Sequence, residues 1–388
     1  MKKKILVVSA GRSDYDRFYP ILNNLQKTKK AKLFIYLAQA HYSKTLGSTA
    51  NNIKKKFKVL KKSSTFSNFN DSSFQMIKNL CFDLNLLSVH VKKIKPDIII
   101  VAGDRYEMLI GPLVAIPNNI PTFHFFGGAV TEGAIDELIR HSITKMSHYH
   151  FVLLNEYKKR LYQLGEERWR VKSIGMPSLT DMKLFKPKNI VELSGQLKFD
   201  LKKPFMLVTY HPATLELKKI NFQINSLIRA IKKSSLNAVI TYPNADPKFG
   251  VIVKAFKKKL QNKNKFILVK SLGEKNYFSL MKYAKLMLGN SSSGIVEAPT
   301  FNLPVVNLGS RQDGKHKPKN VINTGYSHRE ILKGITKALD NNFRRKLINL
   351  KNPYEPKNNI KKITNMILNI KTDNKLLRKK FINKIGKF

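Results

Sequence analysis

Several polar, glycine-containing segments each follow a short apolar run, and the clearest of them is GNSSSG at residues 289–294. Glycines allow the backbone to approach an anion closely, while serine hydroxyls and the amides at the start of a helix can donate hydrogen bonds to it. A diphosphate suits such a segment, although the same serines could also cap the helix that follows. We therefore take Ser291, Ser292 and Gly294 as candidate phosphate-binding residues.

Three arginines, Arg12, Arg105 and Arg311, stand close to a glycine at the end of an apolar run. A surface ion pair would explain any one of them, but their recurrence at equivalent places favours contacts with phosphate oxygens. Glu297, one turn into the helix after the serines, is placed to accept hydrogen bonds from ribose hydroxyls. The same kind of segment supplies two further candidate binding residues, Asp14 and Asn244.

Two candidate acid–base groups also follow apolar runs. Asp104 comes after a run of apolar residues and a glycine, so we expect it at the rim of a sheet, where partial burial can tune a carboxylate as an acid or base. His211 precedes Pro212, which ends the strand there. Although a lone histidine is more often structural, this one is expected to face the ligand.

The segment 131–141 is unusually rich in charge and includes Glu132, Asp136 and Arg140. On a helix, Asp136 and Arg140 share a face at the i, i+4 spacing. An ordinary ion-paired helix start would explain the same pattern. We nevertheless take these three residues as candidate catalytic groups.

Short β-branched runs alternate with amphipathic stretches along the chain, which predicts parallel sheets with helices on both faces. The first six expected strands are Ile5–Ser9, Leu33–Leu37, Ile98–Ala102, Thr122–Phe126, His150–Leu154 and Val171–Ile174. The second six are Phe205–Tyr210, Ala238–Tyr242, Phe266–Val269, Leu286–Gly289, Pro304–Leu308 and Val321–Asn323.

This alternation predicts an α/β protein with two Rossmann-like domains, at residues 1–180 and 204–370. A linker is expected at 181–203 and a basic tail at 371–388, with the last 40 residues helical and packed partly on the first domain. Because ligands of open α/β sheets bind beyond the carboxyl ends of the strands, we expect the ligand between the two domains.

The bulk composition excludes several classes of protein. With 388 residues, 42% of them hydrophobic, the chain is long and apolar enough for two cores and unlike a disordered protein. We find neither a secretory signal nor a membrane span and expect a cytoplasmic protein. A single cysteine, Cys81, excludes a disulfide framework, and His148 and His150 have no acidic partner at metal-ligand spacing. No metal site is predicted.

The formal charge of +47 comes from 72 basic and 25 acidic residues. Such an excess is typical of nucleic-acid-binding proteins, but 59 of the basic residues are lysines and they are dispersed rather than interleaved with aromatic residues. AT-rich coding explains the abundance of lysine, asparagine and isoleucine. We therefore predict no specific nucleic-acid partner, and nucleic-acid binding stays as an alternative that salt-dependent binding would reveal.

Seven motifs in chain order resemble the hydrolysing UDP-N-acetylglucosamine 2-epimerases and their relatives that act on a 2,4-diacetamido sugar on the route to legionaminic acid. They are GRSDYD at 11–16, AGDR at 102–105, TEGAIDELIRHSITKMSHYH at 131–150, YHP at 210–212, PNAD at 243–246, GNSSSG at 289–294 and GSRQ at 309–312. The resemblance spans nearly the whole chain. It implies a GT-B-like fold, no cofactor, a UDP-activated amino sugar as substrate and a homo-oligomer.

The reaction that the resemblance implies has two stages. Removal of the C2 proton with loss of UDP gives a glycal, and addition of water then gives the free sugar with inverted C2. By the same resemblance, Arg12, Ser292, Glu297 and Arg311 hold the UDP part and His211 attends the diphosphate. Asp104, Asp136 and Arg140 would lie by the sugar.

Two positions depart from the family pattern. Phe126 stands where relatives commonly have an acidic or imidazole side chain, and Ala129 stands where a glutamate usually follows the glycine pair. Neither side chain can exchange a proton. Three interpretations stay open: Glu132, Asp104 and His211 take over the acid–base work, the sugar differs, or the protein binds without turnover. A GT-B glycosyltransferase and a non-hydrolysing epimerase are further alternatives.

Overall fold

The structure is a computed structural model that describes residues 2–43, 48–60, 72–180, 182, 185–244 and 246–383. Its contacts divide the chain into two compact units. Unit 1 comprises Met1–Ala129, Ile135–Thr180 and Tyr354–Phe388, and unit 2 comprises Val130–Ala134 and Asp181–Pro353. No helix among the described residues is long and apolar enough to cross a membrane.

The described part of unit 1 contains a six-stranded sheet in the order β2-β1-β3-β4-β5-β6, in which every pairing is parallel. The strands are β1 (Lys3–Ser9), β2 (Ala31–Leu37), β3 (Ile98–Ala102), β4 (Thr122–Phe125), β5 (Tyr149–Val152) and β6 (Val171–Ser173). The helices between them are α1 (Arg12–Lys27), α2 (Ala50–Lys54), α3 (Ser73–Ile94), α4 (Ile110–Ala115), α5 (Asp136–Met146) and α6 (Asn155–Gln163). On one face, Leu6 of β1 and Val101 of β3 pack with Leu87 and Val91 of α3.

Unit 2 repeats this plan in its described residues, with a parallel six-stranded sheet in the order β12-β11-β10-β7-β8-β9. Its strands are β7 (Phe205–Thr209), β8 (Asn237–Thr241), β9 (Phe266–Val269), β10 (Leu286–Gly289), β11 (Val305–Leu308) and β12 (Val321–Thr324). Its helices are α7 (Ile190–Leu197), α8 (Ile220–Lys233), α9 (Phe249–Lys259), α10 (Glu274–Tyr283), α11 (Ser293–Val296), α12 (His328–Leu339) and α13 (Asn341–Arg345). The predicted α/β class is confirmed. Every predicted strand is present, with ends that differ by at most two residues.

The two units differ from the predicted domains at their boundaries. Residues predicted as a linker form α7, which Asn189 caps and whose Leu193 is wholly buried in a core with Leu207 and Leu280. The chain also returns to unit 1 at Tyr354, earlier than the predicted tail. There it forms α14 (Ile360–Asn369) and α15 (Asn374–Leu377).

Specific hydrogen bonds hold this returning segment on unit 1. The hydroxyls of Tyr354 and Tyr157 are 3.0 Å apart, and the carbonyl of Tyr354 accepts from the N–H of Met176 at 2.7 Å. Both contacts join residues that are far apart in the chain. The sequence predicted that the last 40 residues pack partly on the first domain, but which residues make these contacts is a tertiary feature that no local pattern indicated.

Candidate active site

The carboxyl end of β3 carries Asp104, whose carboxylate is held by Arg140 of α5. Gly103, between the strand and Asp104, has a φ of +100°, a conformation that favours glycine. Nε and Nη2 of Arg140 both donate to Oδ2 of Asp104, at 3.0 and 2.5 Å. The Asp104 side chain is 29% exposed. A charged partner thus orients Asp104 while part of its carboxylate stays accessible.

Arg140 is wholly buried and bonds a second carboxylate as well. Its Nη1 donates to Oε2 of Glu137 at 2.6 Å and to the carbonyl of Ala129 at 3.0 Å. Burial alone would lower the pKa of Arg140, but the carboxylates of Asp104, Glu137 and Asp136 outweigh it and raise that pKa. Unit 1 therefore gathers two of the predicted catalytic carboxylates, Asp104 and Asp136, around the permanently charged guanidinium of a third predicted residue, Arg140.

Asp14 lies half-buried in the first turn of α1. Its Oδ2 is buried and has no hydrogen-bond partner among the described residues. Its Oδ1 lies 3.6 Å from the position that a Cβ on Gly103 would occupy. Burial raises the pKa of Asp14 to about 7, against the opposing charge of Arg105. Asp14 therefore exchanges a proton near neutral pH.

The two arginines predicted to bind phosphate in unit 1 have different surroundings. Nε and Nη2 of Arg105 donate to the carboxylate of Glu107 at 3.1 and 2.9 Å, and both side chains are buried. This bidentate pair balances the charge of Arg105 within the unit. The alternative considered from the sequence was also an ion pair, but at the surface, whereas this one is buried. Arg12 is half-buried as the first residue of α1. Burial raises the pKa of Asp16 to about 6, and Arg12 opposes that rise.

His124 of β4 is a buried residue that sequence reasoning did not single out. Its Nε2 lies 3.0 Å from the carbonyl oxygen of Gly103, and its Nδ1 lies 3.2 Å from Oγ1 of Thr144 in α5. Burial lowers the pKa of His124 to about 3, so the ring is neutral and donates from Nε2. His124 therefore ties the backbone before Asp104 to the helix that carries Arg140.

The two departures from the family pattern lie in the loop after β4. Phe126 has a φ of +71°, rare for a bulky residue, and its ring packs against Phe18 and Phe125 with centroids 6.4 and 6.0 Å apart. Gly128 also has positive φ, and a Cβ there would lie 2.6 Å from the carbonyl oxygen of Tyr157. Ala129 is buried, and its carbonyl is the one that Arg140 bonds. The loop therefore brings Ala129 next to the guanidinium of Arg140.

In unit 2, the wholly buried Asn290 joins three strand ends. Its side-chain oxygen accepts from the N–H of His211 at 2.7 Å, and its amide donates to the carbonyl of His211 at 2.8 Å. Its own carbonyl accepts from Nη1 of Arg311 at 3.2 Å and from Nε2 of Gln312 at 2.9 Å. A Cβ on Gly289 would lie 2.0 Å from the carbonyl oxygen of Thr209, so glycine is required for this approach. A neutral side chain thus organises this cluster.

His211 and Arg311 present polar groups at these strand ends. Nδ1 of His211 accepts from the backbone N–H of Asn244 at 3.0 Å, so the ring proton is on Nε2. Nη2 of Arg311 lies 3.7 Å from Oδ2 of Asp246. Nε of Arg311 is buried and has no hydrogen-bond partner within the described residues. The cluster therefore combines an imidazole N–H with a guanidinium that has donor capacity left.

The serine segment is partly structural. Oγ of Ser293 lies 2.7 Å from the hydroxyl of Tyr277 and 3.0 Å from Oγ of Ser291. A Cβ on Gly294 would lie 2.8 Å from Cγ1 of Val305, so glycine here lets α11 pack closely on β11. Ser292 is half-buried and precedes α11. Glu297, which follows α11, is buried.

The predicted catalytic segment 131–141 is divided between the units, although Asp136 and Arg140 lie on one helix, α5, as expected. Val130–Ala134 belongs to unit 2, where the N–H of Glu132 donates to the carbonyl of Asp313 at 3.1 Å. A Cβ on Gly133 would lie 2.5 Å from the carbonyl oxygen of Ser310, so the strand-end loop leaves room only for glycine. Glu132 is exposed beside that loop, whereas Asp136 begins α5 in unit 1.

Comparison with known proteins identifies the family to which the chain belongs. The family model described as UDP-N-acetylglucosamine 2-epimerase matches residues 23–368. The chain belongs to this family. The resemblance read from the seven motifs is thereby confirmed, and so is the expectation of an enzyme.

Relatives with assigned activities include two bacterial enzymes. The chain is 40% identical over 327 residues to the GDP/UDP-N,N'-diacetylbacillosamine 2-epimerase (hydrolyzing) of Campylobacter jejuni, covering 83% of this chain and 84% of that one. It is 32% identical over 340 residues to the UDP-N,N'-diacetylbacillosamine 2-epimerase (hydrolyzing) of Legionella pneumophila, covering 88% and 90%. It is thus similar to hydrolysing 2-epimerases along most of its length.

Solved structures of the family share the fold. The UDP-N-acetylglucosamine 2-epimerase of Neisseria meningitidis, bound to UDP-GlcNAc, has a TM-score of 0.75 at 20% identity, covering 94% of this chain and 98% of that one. The Methanocaldococcus jannaschii enzyme, in complex with UDP-GlcNAc and UDP, has a TM-score of 0.74 at 20% identity, covering 94% and 99%. The predicted GT-B-like class is therefore confirmed.

The sequence analysis did not predict a role for three residues whose hydrogen bonds connect the site residues of this epimerase. They are Glu137, His124 and Asn290. Glu137 stands three positions before Arg140, a helical spacing that signals an ion pair. Asn290 lies inside the GNSSSG motif, but the sequence analysis selected only the serines and Gly294 of that motif as binding residues. His124 carries no local signal, because its partners come from another strand and from α5.

Proposed function

We propose that this epimerase acts on a nucleotide-activated 2,4-diacetamido-6-deoxy sugar and releases the free sugar with inverted C2. The observation that carries the proposal is that two relatives named for N,N'-diacetylbacillosamine are 40% and 32% identical to this chain. The more distant Neisseria relative, at 29% identity, is named for UDP-N-acetylglucosamine.

The polar groups of unit 1 support the proton chemistry of this reaction. In the first stage the C2–H bond breaks, its electrons form the C1=C2 bond, and the C1–O bond breaks with loss of the nucleoside diphosphate. In the second stage, the hydroxyl of a water molecule adds to C1 and a proton adds to C2, on the face opposite to the one from which the first proton left. Two carboxyl groups in unlike environments suit such a pair of steps: Asp104, held by Arg140, and Asp14, with a pKa raised to about 7.

Asp14 therefore receives a different proposed role from the one that the sequence predicted. A carboxyl group that exchanges its proton near neutral pH is better suited to acid–base work than to binding an anionic nucleotide. Asp14 would supply unit 1 with a titratable group, which the side chains of Phe126 and Ala129 cannot do. Glu132 and His211 stay as proposed acid–base groups supplied by unit 2.

The strand ends of unit 2 support a role in holding the nucleoside diphosphate. Arg311 and the Nε2–H of His211 are donors that would stabilise the charge of a departing diphosphate. Ser292 and Glu297 remain the proposed contacts for phosphate and ribose. Replacing both Ser292 and Arg311 with alanine should weaken UDP binding at least tenfold, since hydrogen bonds to charged groups are worth about 1.5–3 kcal/mol each. Calorimetry measures this, and the exposed Arg329→Ala is the charge-matched control.

The apolar residues at the two departures support a deoxygenated substrate. Phe126 and Ala129 leave no polar partner at their positions, and an unpaired hydroxyl of a bound sugar loses free energy relative to water. A methyl-bearing C6 does not incur that loss. UDP-activated diacetamido sugars should therefore be processed better than UDP-GlcNAc.

The deciding experiment incubates the enzyme in deuterated water with UDP-N,N'-diacetylbacillosamine, its GDP counterpart and UDP-GlcNAc. We expect free sugar deuterated at C2, formed fastest from a diacetamido substrate. An unhydrolysed C2 epimer would indicate a non-hydrolysing epimerase. Binding of all three without product would indicate a nucleotide-sugar-binding protein. Equal rates on the diacetamido sugar and UDP-GlcNAc would refute the proposed substrate preference.

Three finer assignments stay predictions. They are the homo-oligomeric state, the cytoplasmic location and a place in sialic or legionaminic acid synthesis. Light scattering tests the first, cell fractionation the second and accumulation of the unprocessed nucleotide sugar in a deletion strain the third.

A further inference from the structure

The C-terminal segment of the chain caps the helix that carries Arg140. Nζ of Lys379 donates to the carbonyls of Thr144, Lys145 and Ser147 at 3.0, 2.9 and 2.7 Å. These carbonyls stand at the end of α5, where a helix leaves its last carbonyls unsatisfied and where a cation interacts favourably with the helix dipole. Lys379 therefore satisfies the end of α5 from a distant part of the chain.

Glu166 anchors the lysine from the other side. Its carboxylate is buried and accepts from Lys379 at 2.8 Å, from Lys145 at 2.9 Å and from Nε2 of His150 at 3.1 Å. Burial alone would raise the pKa of Glu166, but the hydrogen bond from His150 and the charge of Lys379 lower it to about 2. Glu166 therefore stays ionised, and Lys379 bridges it to α5.

A second side chain, Arg170, bonds the backbone of the C-terminal segment next to Lys379. Its guanidinium is wholly buried and donates to the carbonyls of Lys375, Leu376 and Arg378 at 3.1, 2.7 and 2.9 Å. These carbonyls belong to α15 and the residue after it. The N–H of Ile382 also donates to the carbonyl of Gly165 at 3.0 Å. The segment is therefore docked on both sides of Lys379.

We propose that Lys379 is a positioning residue for the catalytic centre. By holding the last turn of α5, it fixes the helix from which Arg140 orients Asp104. Misplacement of a catalytic group by about 1 Å can cost on the order of 10²-fold in rate, so a small shift of α5 is sufficient to matter. The turnover test rests on the function proposed above, whereas the order of α5 can be measured without any substrate.

The environment of Lys379 makes this role depend on pH. Burial lowers the pKa of Lys379 to about 8, with Glu166 opposing and the charges of Lys145 and Arg170 adding to the lowering. His148 and His150, which also face this cluster, are neutral above pH 7 because burial lowers each pKa to about 4. Above pH 8 the amine therefore loses its charge, and with it one donor and the ion pair to Glu166.

Above pH 8, the change in the free energy of unfolding that Lys379 causes has a sign that distinguishes a loss of positioning from unfolding. Between pH 8 and the ordinary lysine pKa of 10.5, the unfolded chain binds more protons at Lys379 than the folded chain does. The contribution of Lys379 to the free energy of unfolding therefore rises through that interval. A fall in kcat above pH 8 would then reflect positioning and not loss of the fold.

The experiment compares Lys379→Met, Lys379→Arg and the exposed neighbour Lys380→Met as the matched control. For Lys379→Met we expect kcat to fall about tenfold or more, faster hydrogen exchange of the α5 amides and unchanged UDP affinity. Lys379→Arg keeps the charge, so it should retain most of kcat and move the alkaline fall of kcat to higher pH. Lys380→Met should behave like the parent.

Two results would overturn the proposal: unchanged exchange of α5 in Lys379→Met, or an alkaline fall of kcat that Lys379→Arg leaves in place. If the parent turns over no nucleotide sugar, the proposed function fails, yet the exchange measurement still decides whether Lys379 orders α5. Should Lys379→Met not fold, the pH profile of Lys379→Arg provides the same decision.

Discussion

The strand-end clusters of the two units are organised by opposite kinds of side chain. In unit 1 a wholly buried arginine, Arg140, bonds the carboxylates of Asp104 and Glu137. In unit 2 a wholly buried asparagine, Asn290, bonds the backbone of His211 and accepts from Arg311. The first arrangement depends on charges that balance one another, whereas the uncharged side chain of Asn290 holds the second together through hydrogen bonds to the backbone.

This difference assigns unlike tasks to the two units. Charged groups in partly buried surroundings have shifted proton affinities, which acid–base chemistry requires. An uncharged scaffold such as Asn290 does not itself titrate, so it can keep a donor such as Arg311 in place for an anion over a range of pH. Both departures from the family pattern, Phe126 and Ala129, lie in unit 1. We therefore expect changes at Asp104 in unit 1 to alter turnover, and changes at Asn290 and Arg311 in unit 2 to alter nucleotide affinity.

The largest expected effect is that of Asp104→Asn in unit 1. The amide keeps the shape of the side chain but can neither exchange a proton nor balance Arg140, so kcat should fall about 10²–10⁴-fold with UDP affinity unchanged. Steady-state kinetics and calorimetry measure the two quantities. The control is Asp97→Asn, which changes an exposed carboxylate before the start of the same strand. If Asp104→Asn lost UDP affinity to a comparable extent, the assignment of turnover to Asp104 and of nucleotide affinity to unit 2 would be wrong.

Asn290→Ala is the corresponding change in unit 2. It leaves the buried N–H and carbonyl of His211 without partners, which should lower the free energy of unfolding by about 2–4 kcal/mol and weaken UDP binding. Denaturant titration and calorimetry measure these effects. Asn307→Ala, which removes one hydrogen bond to Asn323 from a buried position, should cost less stability and spare UDP affinity. Normal UDP affinity in Asn290→Ala would show that the asparagine does not organise the binding site.

Ala129→Glu tests whether the departure next to Arg140 sets the sugar preference. A carboxylate there would compete for the guanidinium and add a polar partner for sugar hydroxyls. The ratio of kcat/KM for the diacetamido sugar over that for UDP-GlcNAc should drop about tenfold, within the range expected for one pocket contact. Ala129→Gln is the size-matched variant without a titratable group. If neither variant changes the ratio, residue 129 lies outside the sugar site.

The smallest expected effect concerns the pH dependence of stability that Asp14 confers. Its pKa is about 7 in the folded protein against 3.8 as the ordinary value. The folded state therefore binds more protons, and stability is lost as pH rises from about 4 to 7. Asp14→Asn should remove that loss and raise the free energy of unfolding at pH 7 by about 1–4 kcal/mol, since one pKa unit corresponds to about 1.4 kcal/mol and partial exposure weakens the effect. Denaturant titrations at pH 4 and pH 7 measure it.

The same titrations on Asp16→Asn provide the comparison on the same helix. The pKa of Asp16 is raised to about 6, so its contribution should be lost at lower pH than that of Asp14. Identical pH dependence in the parent and in Asp14→Asn would show that Asp14 is ionised well below neutrality. The charged cluster of unit 1 would then lack its second proton-exchanging group.

The sequence by itself determined the twelve strands found in the described part of the chain, the two-sheet plan and the places where polar groups cluster. Parallel strands are covered on both faces, so runs such as Ile98–Ala102 must be continuously apolar, and that signal is local. The candidate binding residues follow the strand ends directly in the sequence, where ligands of open α/β sheets bind. The motifs around Asp104 and His211 could therefore be recognised without a structure.

Only the tertiary structure decided which charged and polar groups pair. Arg140 with Asp104, Asn290 with His211 and Lys379 with the end of α5 all join residues far apart in the chain. With 72 basic and 25 acidic residues, composition leaves very many possible ion pairs of similar strength in water. Burial selects among them, because a charge or an amide removed from water must find its partner within the fold.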